Sequence, residues 1–285
     1  MTIGADGLGL ISYYDNTNDD LKVAHCSNAA CSSAATATLD SSGVVGLDTS
    51  VTIGADGLGL ISYRDSTNGD LKAAHCSDIA CSSATTATLD SIGNVGFYSS
   101  VTIGADGLGL ISYYDHTNGD LKVAHCSDIA CSSAAITALD GNGWVDGHTS
   151  VTIGADGLGL ISYLYFTNLK VAHCSDIACS SATTATLDSS GIEGEYTSVT
   201  IGADGLGLIS YLGDNDLKVA HCSDAACSSA AITTLDIGDP MTGKYTSVTI
   251  GADGLGLISY YDNWWADLKV AHCDNLFCTP YFRRR

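Results

Sequence analysis

The sequence predicts an all-β fold, a six-bladed β-propeller with four antiparallel strands per blade, and three observations lead to it. The segment TIGADGLGLISY occurs six times unchanged, beginning at Thr2, Thr52, Thr102, Thr152, Thr200 and Thr249. The resulting period of 48 to 50 residues is typical of propeller blades. Six units in a chain of this size suit a closed ring, and the ordinary first unit favours closure over an open solenoid, which needs atypical polar caps at both ends. We expect one domain, residues 1–285, with blades 1–50, 51–100, 101–150, 151–198, 199–247 and 248–285.

Each unit contains four segments with the character of strands, and the second unit illustrates them in order. Its first strand is expected over Val51–Asp56, followed by an Asp-Gly hairpin signal. The second strand, Leu58–Asp65, is apolar on both faces, as a blade packed between two neighbours requires. A polar turn leads to the third strand, Leu71–Cys76, and the Thr-rich segment Ser82–Leu89 forms the fourth.

The repeated pattern resembles a known blade. It reads apolar-x-Ile-x-x-Asp-Gly-x-x-x-Ile-Ser-Tyr-x-Asp, then Asn, then Leu-Lys-Val. This pattern resembles the blades of six-bladed propellers of the NHL type, and it is similar to near-identical blade arrays in bacterial secreted proteins. The resemblance covers about the first half of each unit. It implies the fold rather than a function, because propellers support enzymes, lectins and scaffolds alike. The Cys pair of each unit is a departure from NHL-type blades.

Each unit carries two cysteines five positions apart, beside the turn between the third and fourth strands. Residues that face each other across a tight turn can meet disulfide geometry. The predicted disulfides imply an oxidising compartment, so we expect an extracellular or periplasmic protein, although no signal-peptide pattern is found at Met1. The expected pairs are Cys26–Cys31, Cys76–Cys81, Cys126–Cys131, Cys174–Cys179, Cys222–Cys227 and Cys273–Cys278.

Metal binding is the alternative interpretation of these cysteines. A histidine precedes the first Cys of every pair, but adjacent strand residues point to opposite faces and the spacing is not that of a zinc site. We therefore expect no metal site and no cofactor, and interpret these histidines as packed, hydrogen-bonded side chains. Oxygen-rich turns such as Asp15-x-x-Asn18-x-Asp20 leave calcium open as an alternative to Asx-turn chemistry.

Charge and motifs exclude several function classes. Lys and Arg number 11 against 32 Asp and Glu, a net charge of −21, which disfavours nucleic acid and anionic membranes as partners. No apolar run approaches the length of a membrane span, so no membrane insertion is expected. The sequence has no nucleophile elbow or phosphate loop, and its only Glu residues are Glu193 and Glu195. Near-perfect symmetry leaves few residues for a unique catalytic cluster, so we expect no enzyme activity.

The copies differ mainly in two loops, the turn between the second and third strands and the loop between units. Both lie at one end of the blades, here called the variable face. Drift in exposed loops is one explanation of the differences, and a recognition face is the other. Exposed aromatic side chains favour recognition. The candidate ligand-binding residues are His116, Trp144, His148, Tyr196, Tyr245, Trp264 and Trp265.

Three function classes remain. We expect a non-enzymatic binding module, a monomeric ring whose variable face binds a glycan or a surface protein, because aromatic rings beside Asp and Asn suit sugars. The alternatives are a structural or adhesion unit of a larger extracellular protein and, last, a hydrolase or lyase on a propeller scaffold.

Overall fold

The fold is all-β, and it is confirmed by a computed structural model of the chain. The structure describes residues 1–141, 145–237 and 242–279. These residues contain 23 strands and no helix. Six antiparallel sheets are arranged as a β-propeller, and every sheet is built from strands that follow one another in sequence. Five sheets have four strands; the sixth has three within the described residues, since 280–285 lie outside them.

The chain divides into two compact units. Blades 1 to 3 belong to the first unit and blades 4 to 6 to the second, except that Ile177–Cys179 belongs to the first. In the first unit, blade 1 consists of β1 (Thr2–Ile3), β2 (Gly9–Asp15), β3 (Asp20–Cys26) and β4 (Ala34–Asp40). Blade 2 consists of β5 (Val45–Ile53), β6 (Gly59–Asp65), β7 (Asp70–Cys76) and β8 (Ala84–Asp90). Blade 3 consists of β9 (Phe97–Ile103), β10 (Gly109–Asp115), β11 (Asp120–Cys126) and β12 (Ala134–Asp140).

The second unit repeats this arrangement. Blade 4 consists of β13 (Val145–Ile153), β14 (Gly159–Tyr165), β15 (Asn168–Cys174) and β16 (Ala182–Asp188). Blade 5 consists of β17 (Glu193–Ile201), β18 (Gly207–Gly213), β19 (Asp216–Cys222) and β20 (Ala230–Asp236). Blade 6 consists of β21 (Thr242–Ile250), β22 (Gly256–Asp262) and β23 (Asp267–His272). A single domain over the whole chain stays a prediction.

The first strand of a blade begins earlier than the sequence predicts. In blade 2 it starts at Val45, within the expected inter-unit loop, rather than at Val51. Gly46 explains the extension, because its φ of 95° and its close approach to blade 1 both exclude a side chain. A Cβ at Gly46 would lie 2.6 Å from the Cα of Leu21. The glycine therefore lets the extended strand pass directly against the preceding blade.

Apolar side chains fill the space between consecutive blades. Leu21 and Val23 of blade 1 pack in one buried cluster with Val51, Ile61 and Tyr63 of blade 2. Equivalent clusters join blades 2 and 3 and the blades of the second unit. Burial on both sides of the second strand explains its nearly continuous apolar sequence, which the repeat analysis predicts.

A buried carboxylate adds a polar link between consecutive blades. Asp40, the last residue of β4, accepts hydrogen bonds from the Tyr63 hydroxyl at 2.7 Å and the Lys72 ammonium at 2.5 Å, both in blade 2. We call this arrangement the inter-blade carboxylate link. It recurs at Asp90 with Tyr113 and Lys122, at Asp188 with Tyr211 and Lys218, and at Asp236 with Tyr260 and Lys269.

The end of the blades opposite the variable face is held by disulfides and by His–Asp pairs. All twelve cysteines are disulfide-bonded, as predicted, which supports an oxidising compartment. In blade 2 the Cys76 sulfur lies over Gly59, where a Cβ would approach it to 2.7 Å. The His75 ring nitrogen Nε2 lies 2.9 Å from the Oδ2 atom of Asp56 in the hairpin turn. These histidines are therefore hydrogen-bonded within the fold, and the same pair occurs in all six blades.

Removal of one disulfide should lower stability and preserve the fold. We expect a variant with Cys126→Ala and Cys131→Asn to lose about 2 kcal/mol of unfolding free energy, the chain-entropy value for so short a loop. Asn suits position 131 because the φ of Cys131 is 51°, a conformation that Asn tolerates. Urea unfolding measures the change. Thiol titration of the denatured, unreduced wild type should find no free cysteine; twelve reactive thiols would contradict the assignment.

Candidate functional site on the variable face

The variable face is formed as the sequence predicts, because its two loops bond to each other. The Thr67 hydroxyl, in the turn after β6, accepts a hydrogen bond from the Val44 backbone N–H of the inter-blade loop at 2.8 Å. The Thr117 hydroxyl accepts from the Asn94 N–H in the same way at 2.7 Å. In the first unit, the two variable loops therefore form one continuous surface.

A cavity of about 220 Å³ opens on this face at blade 6. Its two aromatic members are Trp264 and Trp265, which are 58% and 69% exposed. Both belong to the turn between β22 and β23. The full lining is Asp236, Ile237, Thr242, Asp262, Trp264, Trp265 and Lys269. Two of the predicted ligand-binding residues therefore share one cavity with two carboxylates and an ammonium.

The tryptophans replace residues that fill the same position in blade 2. The Asn68 amide donates to the carboxylate of Asp65 at 2.8 Å, and Thr67 binds the neighbouring loop. In blade 6, Trp264 stands at the position of Thr67, and Trp265 stands at that of Asn68. The Asp262 carboxylate accepts from both tryptophan backbone N–H groups, as Asp115 of blade 3 does from Thr117 and Asn118. The indole rings are left exposed at the mouth of the cavity.

Lys269 joins the two carboxylates of the cavity. Its ammonium lies 2.6 Å from Asp262 and 3.2 Å from Asp236. Hydrogen bonds from Lys269 and from the two tryptophan backbone N–H groups lower the pKa of Asp262, and the two carboxylates raise the pKa of Lys269. At neutral pH the cavity therefore presents the charged Asp262 carboxylate and the charged Lys269 ammonium beside two indole rings.

Blades 4 and 5 change the partner of the equivalent lysine. In blade 4, Tyr165 replaces the aspartate, and the Lys170 ammonium lies 4.1 Å from the centre of its ring. In blade 5, Gly213 replaces it, and Glu193 of β17 supplies the carboxylate at 2.6 Å from Lys218. Burial raises the pKa of Glu193, which is fully buried. A Cβ on Gly213 would collide with the Glu193 carboxylate, so the two substitutions depend on each other.

Three further predicted residues form a row of rings in the second unit. The ring centres of His148 and Tyr196 lie 4.5 Å apart, and those of Tyr196 and Tyr245 lie 4.6 Å apart. We call these three residues the aromatic row. Each comes from the first strand of a different blade, β13, β17 or β21. Tyr261 of β22 continues the series, with its ring centre 6.4 Å from that of Tyr245.

The aromatic row is built on irregular backbone. Its residues have φ values of 45°, 52° and 53°, a left-handed conformation that is uncommon outside glycine. The pairing of each first strand with the second strand shifts register at this point. Asp48 and Tyr98 occupy the same conformation in blades 2 and 3. The sequence repeat does not reveal this bulge, because the positions differ in residue type between units.

His116, another predicted site residue, lies in the first unit. Its ring is 5.4 Å from that of Phe97 and 5.8 Å from that of Tyr114. Phe97 also stacks against Arg64, whose guanidinium carbon lies 3.8 Å from the ring centre. Arg64 donates to the Asn94 side-chain oxygen at 2.8 Å. His116 is therefore part of a packed cluster between blades 2 and 3.

Sequence reasoning missed the polar residues of the cavity. Asp236, Asp262 and Lys269 stand at positions repeated in most units, so the comparison of differing residues passed over them. Their signal was the repetition itself: a Lys in the third strand and an Asp at the end of the second and fourth strands. The predicted residue Trp144 lies outside the described residues.

The described residues contain no group of three or more His, Cys, Asp or Glu side chains that could hold a metal ion. The oxygen-rich turn of blade 1 instead satisfies its carboxylate internally. Asp15 accepts from the Thr17 N–H at 3.0 Å, the Asn18 amide at 2.9 Å and Lys22 at 2.9 Å. In the described part of the chain, no helix is long and apolar enough to cross a membrane.

Comparisons with known proteins show the fold. No family model and no curated protein sequence matches the chain. A protein of unknown function from Dyadobacter fermentans has a TM-score of 0.66 at 12% identity, over 92% of this chain and 89% of its own. An α-L-arabinanase of Penicillium chrysogenum, in complex with arabinobiose, has a TM-score of 0.64 at 13% identity, over 95% and 91%. A GH93 α-L-arabinofuranosidase of Fusarium graminearum, also with arabinobiose, has 0.60 at 12%, over 94% and 89%.

The expectation that the chain is not an enzyme is contradicted by these comparisons. Glycoside hydrolases of at least two kinds share the propeller fold. The expectation rests on the near-identity of the six units, which leaves few residues for a unique catalytic cluster. Blade 6 departs from that symmetry, because the turn between its second and third strands holds two tryptophans, Trp264 and Trp265, beside the repeated carboxylates, and the same turn of the other units has no tryptophan. The NHL resemblance stays a prediction.

Acid should destabilise the fold partly through His148. Burial lowers the pKa of His148 from 6.5 to about 4. Above pH 6.5 His148 is neutral in both the folded and the unfolded state. Between pH 6.5 and 4 the histidine is protonated in the unfolded chain but stays neutral in the folded protein. The unfolding free energy therefore falls as the pH is lowered through this range. Compared with wild type, His148→Asn should weaken this loss by up to about 1.4 kcal/mol per pH unit. Urea unfolding at pH 4 to 8 measures it; parallel curves below pH 6.5 would contradict the assignment, and parallel curves above pH 7 are the internal control.

Proposed function

We propose that this propeller recognises carbohydrate in the blade 6 cavity. The observation that carries the proposal is the exposed pair Trp264 and Trp265 beside Asp236, Asp262 and Lys269 in one cavity. Adjacent exposed apolar side chains that are rimmed by polar residues mark ligand-binding grooves. Indole rings pack against the C–H faces of a sugar ring, while carboxylates accept hydrogen bonds from its hydroxyls. The lysine ammonium donates to ring or hydroxyl oxygens.

The negative charge of the chain and of the cavity indicates which class of sugar can bind. A net charge of −21 and two carboxylates in the cavity disfavour anionic ligands such as uronic acids or sulfated sugars. Neutral sugars are therefore the ligands that fit the cavity. Two propeller neighbours bind arabinobiose in their structures, which makes neutral arabino-oligosaccharides the first ligands to test. A disulfide-bonded protein that binds such sugars would act outside the cytoplasm.

Hydrolysis of the bound sugar is the second candidate function. It is favoured by the presence of two carboxyl groups, Asp236 and Asp262, in the same cavity, since most glycosidases use a pair of Asp or Glu residues. Lys269 holds both carboxylates, so substrate would have to replace part of that contact. Release of reducing ends from arabino-oligosaccharides by wild type, and its loss in Asp262→Asn, would establish this activity.

The double variant Trp264→Ala with Trp265→Ala tests the binding proposal. Truncation of aromatic anchors at a binding site costs roughly 1–3 kcal/mol, so we expect affinity for neutral oligosaccharides to fall about 5- to 150-fold. Isothermal titration calorimetry measures the affinity. Both side chains are exposed, so the melting temperature should change little. Phe166→Ala, an exposed aromatic of the corresponding turn in blade 4, is the matched control. Equal affinity in wild type and the tryptophan variant would refute the proposal.

A further inference from the structure

We infer that copies of this chain associate head to tail, with one side of blade 6 in one copy packed against one side of blade 1 in another. The inference is independent of the proposed carbohydrate site, and it differs from the monomeric ring that the sequence predicts. Two exposed surfaces of the chain carry it. Each is one half of the contact that consecutive blades already make within a unit.

Consecutive blades of a unit meet through a recurring set of apolar side chains. Between blades 5 and 6, Leu217 and Val219 of β19 pack in one buried cluster with Ile258 and Tyr260 of β22. We call the side of a blade that carries the residues equivalent to Leu217 and Val219 its forward side. The side that carries those equivalent to Ile258 and Tyr260 is its rear side. The contacts between blades 1 and 2, 2 and 3, and 4 and 5 pair the same positions, so a forward side and a rear side are complementary surfaces.

The forward side of blade 6 is exposed. Leu268 and Val270 hold the two forward positions of β23, and they are 77% and 60% exposed. Leu257 of β22 is exposed on the same side. The corresponding three residues of blade 5 are buried in its contact with blade 6. Neighbouring apolar side chains left uncovered in this way mark an interaction surface.

The rear side of blade 1 is exposed as well. Ile3 of β1 is 59% exposed, and Ile11 and Tyr13 of β2 are partly exposed. Their counterparts in β6 of blade 2, Ile61 and Tyr63, are fully buried in the contact with blade 1. The first blade therefore presents the apolar surface that, in blade 2, receives a forward side.

The rear side of blade 1 also has a recess shaped for a leucine. In blade 2, the Leu10 side chain of blade 1 reaches Gly59 so closely that a Cβ there would lie 2.8 Å from the leucine Cδ2 atom. Gly9 holds the same position in blade 1, and no leucine among the described residues lies within 4 Å of where its Cβ would stand. Leu257, at the position of Leu10, is the exposed leucine of blade 6. The chain therefore carries both a free leucine and the recess that fits it.

A second copy of the chain is the partner that fits these surfaces, because it supplies the same side chains at the spacing already found between blades. The forward and rear sides differ, so the contact is heterologous, and a pair of copies keeps one free side at each end. Association can therefore continue beyond a dimer. A net charge of −21 on every copy opposes association, so the contact should strengthen when salt screens that charge.

Sedimentation velocity of the full chain, from low to high micromolar concentration and at low and physiological salt, tests the inference. For wild type we expect the weight-average mass to rise with concentration, and more steeply at physiological salt. Leu268→Asp on the forward side and Ile3→Asp on the rear side should each stay monomeric. An equimolar mixture of these two variants should form a dimer and nothing larger, because each pair retains one working contact. Ile92→Asp, at a loop residue that is also 77% exposed, is the matched control and should behave as wild type.

Thermal melting confirms that each variant is folded, and Val270→Asp and Ile11→Asp are the second variants on the two sides. A wild type that stays monomeric at every concentration and both salts would overturn the inference. Association that survives in both single variants, or that Ile92→Asp also abolishes, would overturn it too, as would two variants that fail to associate when mixed. None of these outcomes changes the sugar affinity of the blade 6 cavity, so the inference and the proposed function fail separately.

Discussion

The inter-blade carboxylate link is the interaction on which the rest of this structure depends. A single aspartate at the end of a fourth strand receives a tyrosine hydroxyl and a lysine ammonium from the next blade, as Asp90 does from Tyr113 and Lys122. All three groups are buried or nearly so. Burial of a carboxylate is costly unless hydrogen-bonding partners of opposite charge or with a donor group are present. Here the tyrosine and the lysine reach the carboxylate only when the two blades pack together. Within each unit, the link therefore couples the position of one blade to that of the next.

The candidate site is a modified copy of this link. In blade 6 the same three groups, Asp236, Tyr260 and Lys269, are joined by hydrogen bonds, but Lys269 is 36% exposed whereas Lys122 in blade 3 is 12% exposed. Trp264 and Trp265 stand where smaller residues fill the site in blade 2. A structural element repeated around the propeller thus becomes, in one blade, an open cavity whose charges are already fixed in place. This origin explains how a nearly symmetric chain acquires one distinct site.

The sequence was sufficient to predict the fold, because the repeat indicates the length and number of the blades and the residue pattern within a unit indicates its four strands. It was insufficient for the site because the decisive contacts join residues of different units. The register that brings Asp236 to Lys269 depends on how two blades pack, which no pattern within one unit records. The same limit explains Glu193, which replaces an aspartate lost at Gly213 from a different strand of the blade. The aromatic row depends on a bulge whose left-handed residues Tyr196 and Tyr245 have no sequence signature of positive φ, since neither is Gly or Asn. The variable face, by contrast, followed directly from comparing the units.

A double-mutant cycle on the link between blades 2 and 3 tests this account most directly. Asp90→Asn, Tyr113→Phe and their combination are compared with wild type by urea unfolding. The Tyr113 hydroxyl and the Asp90 carboxylate are 2.7 Å apart and buried, so we expect a coupling energy of about 1.5–3 kcal/mol, the range for a hydrogen bond to a charged group. Tyr13→Phe, at the equivalent but partly exposed tyrosine of blade 1, should have a much smaller effect. A coupling energy near zero, with the two single effects simply additive, would contradict the claim that the carboxylate link holds consecutive blades together.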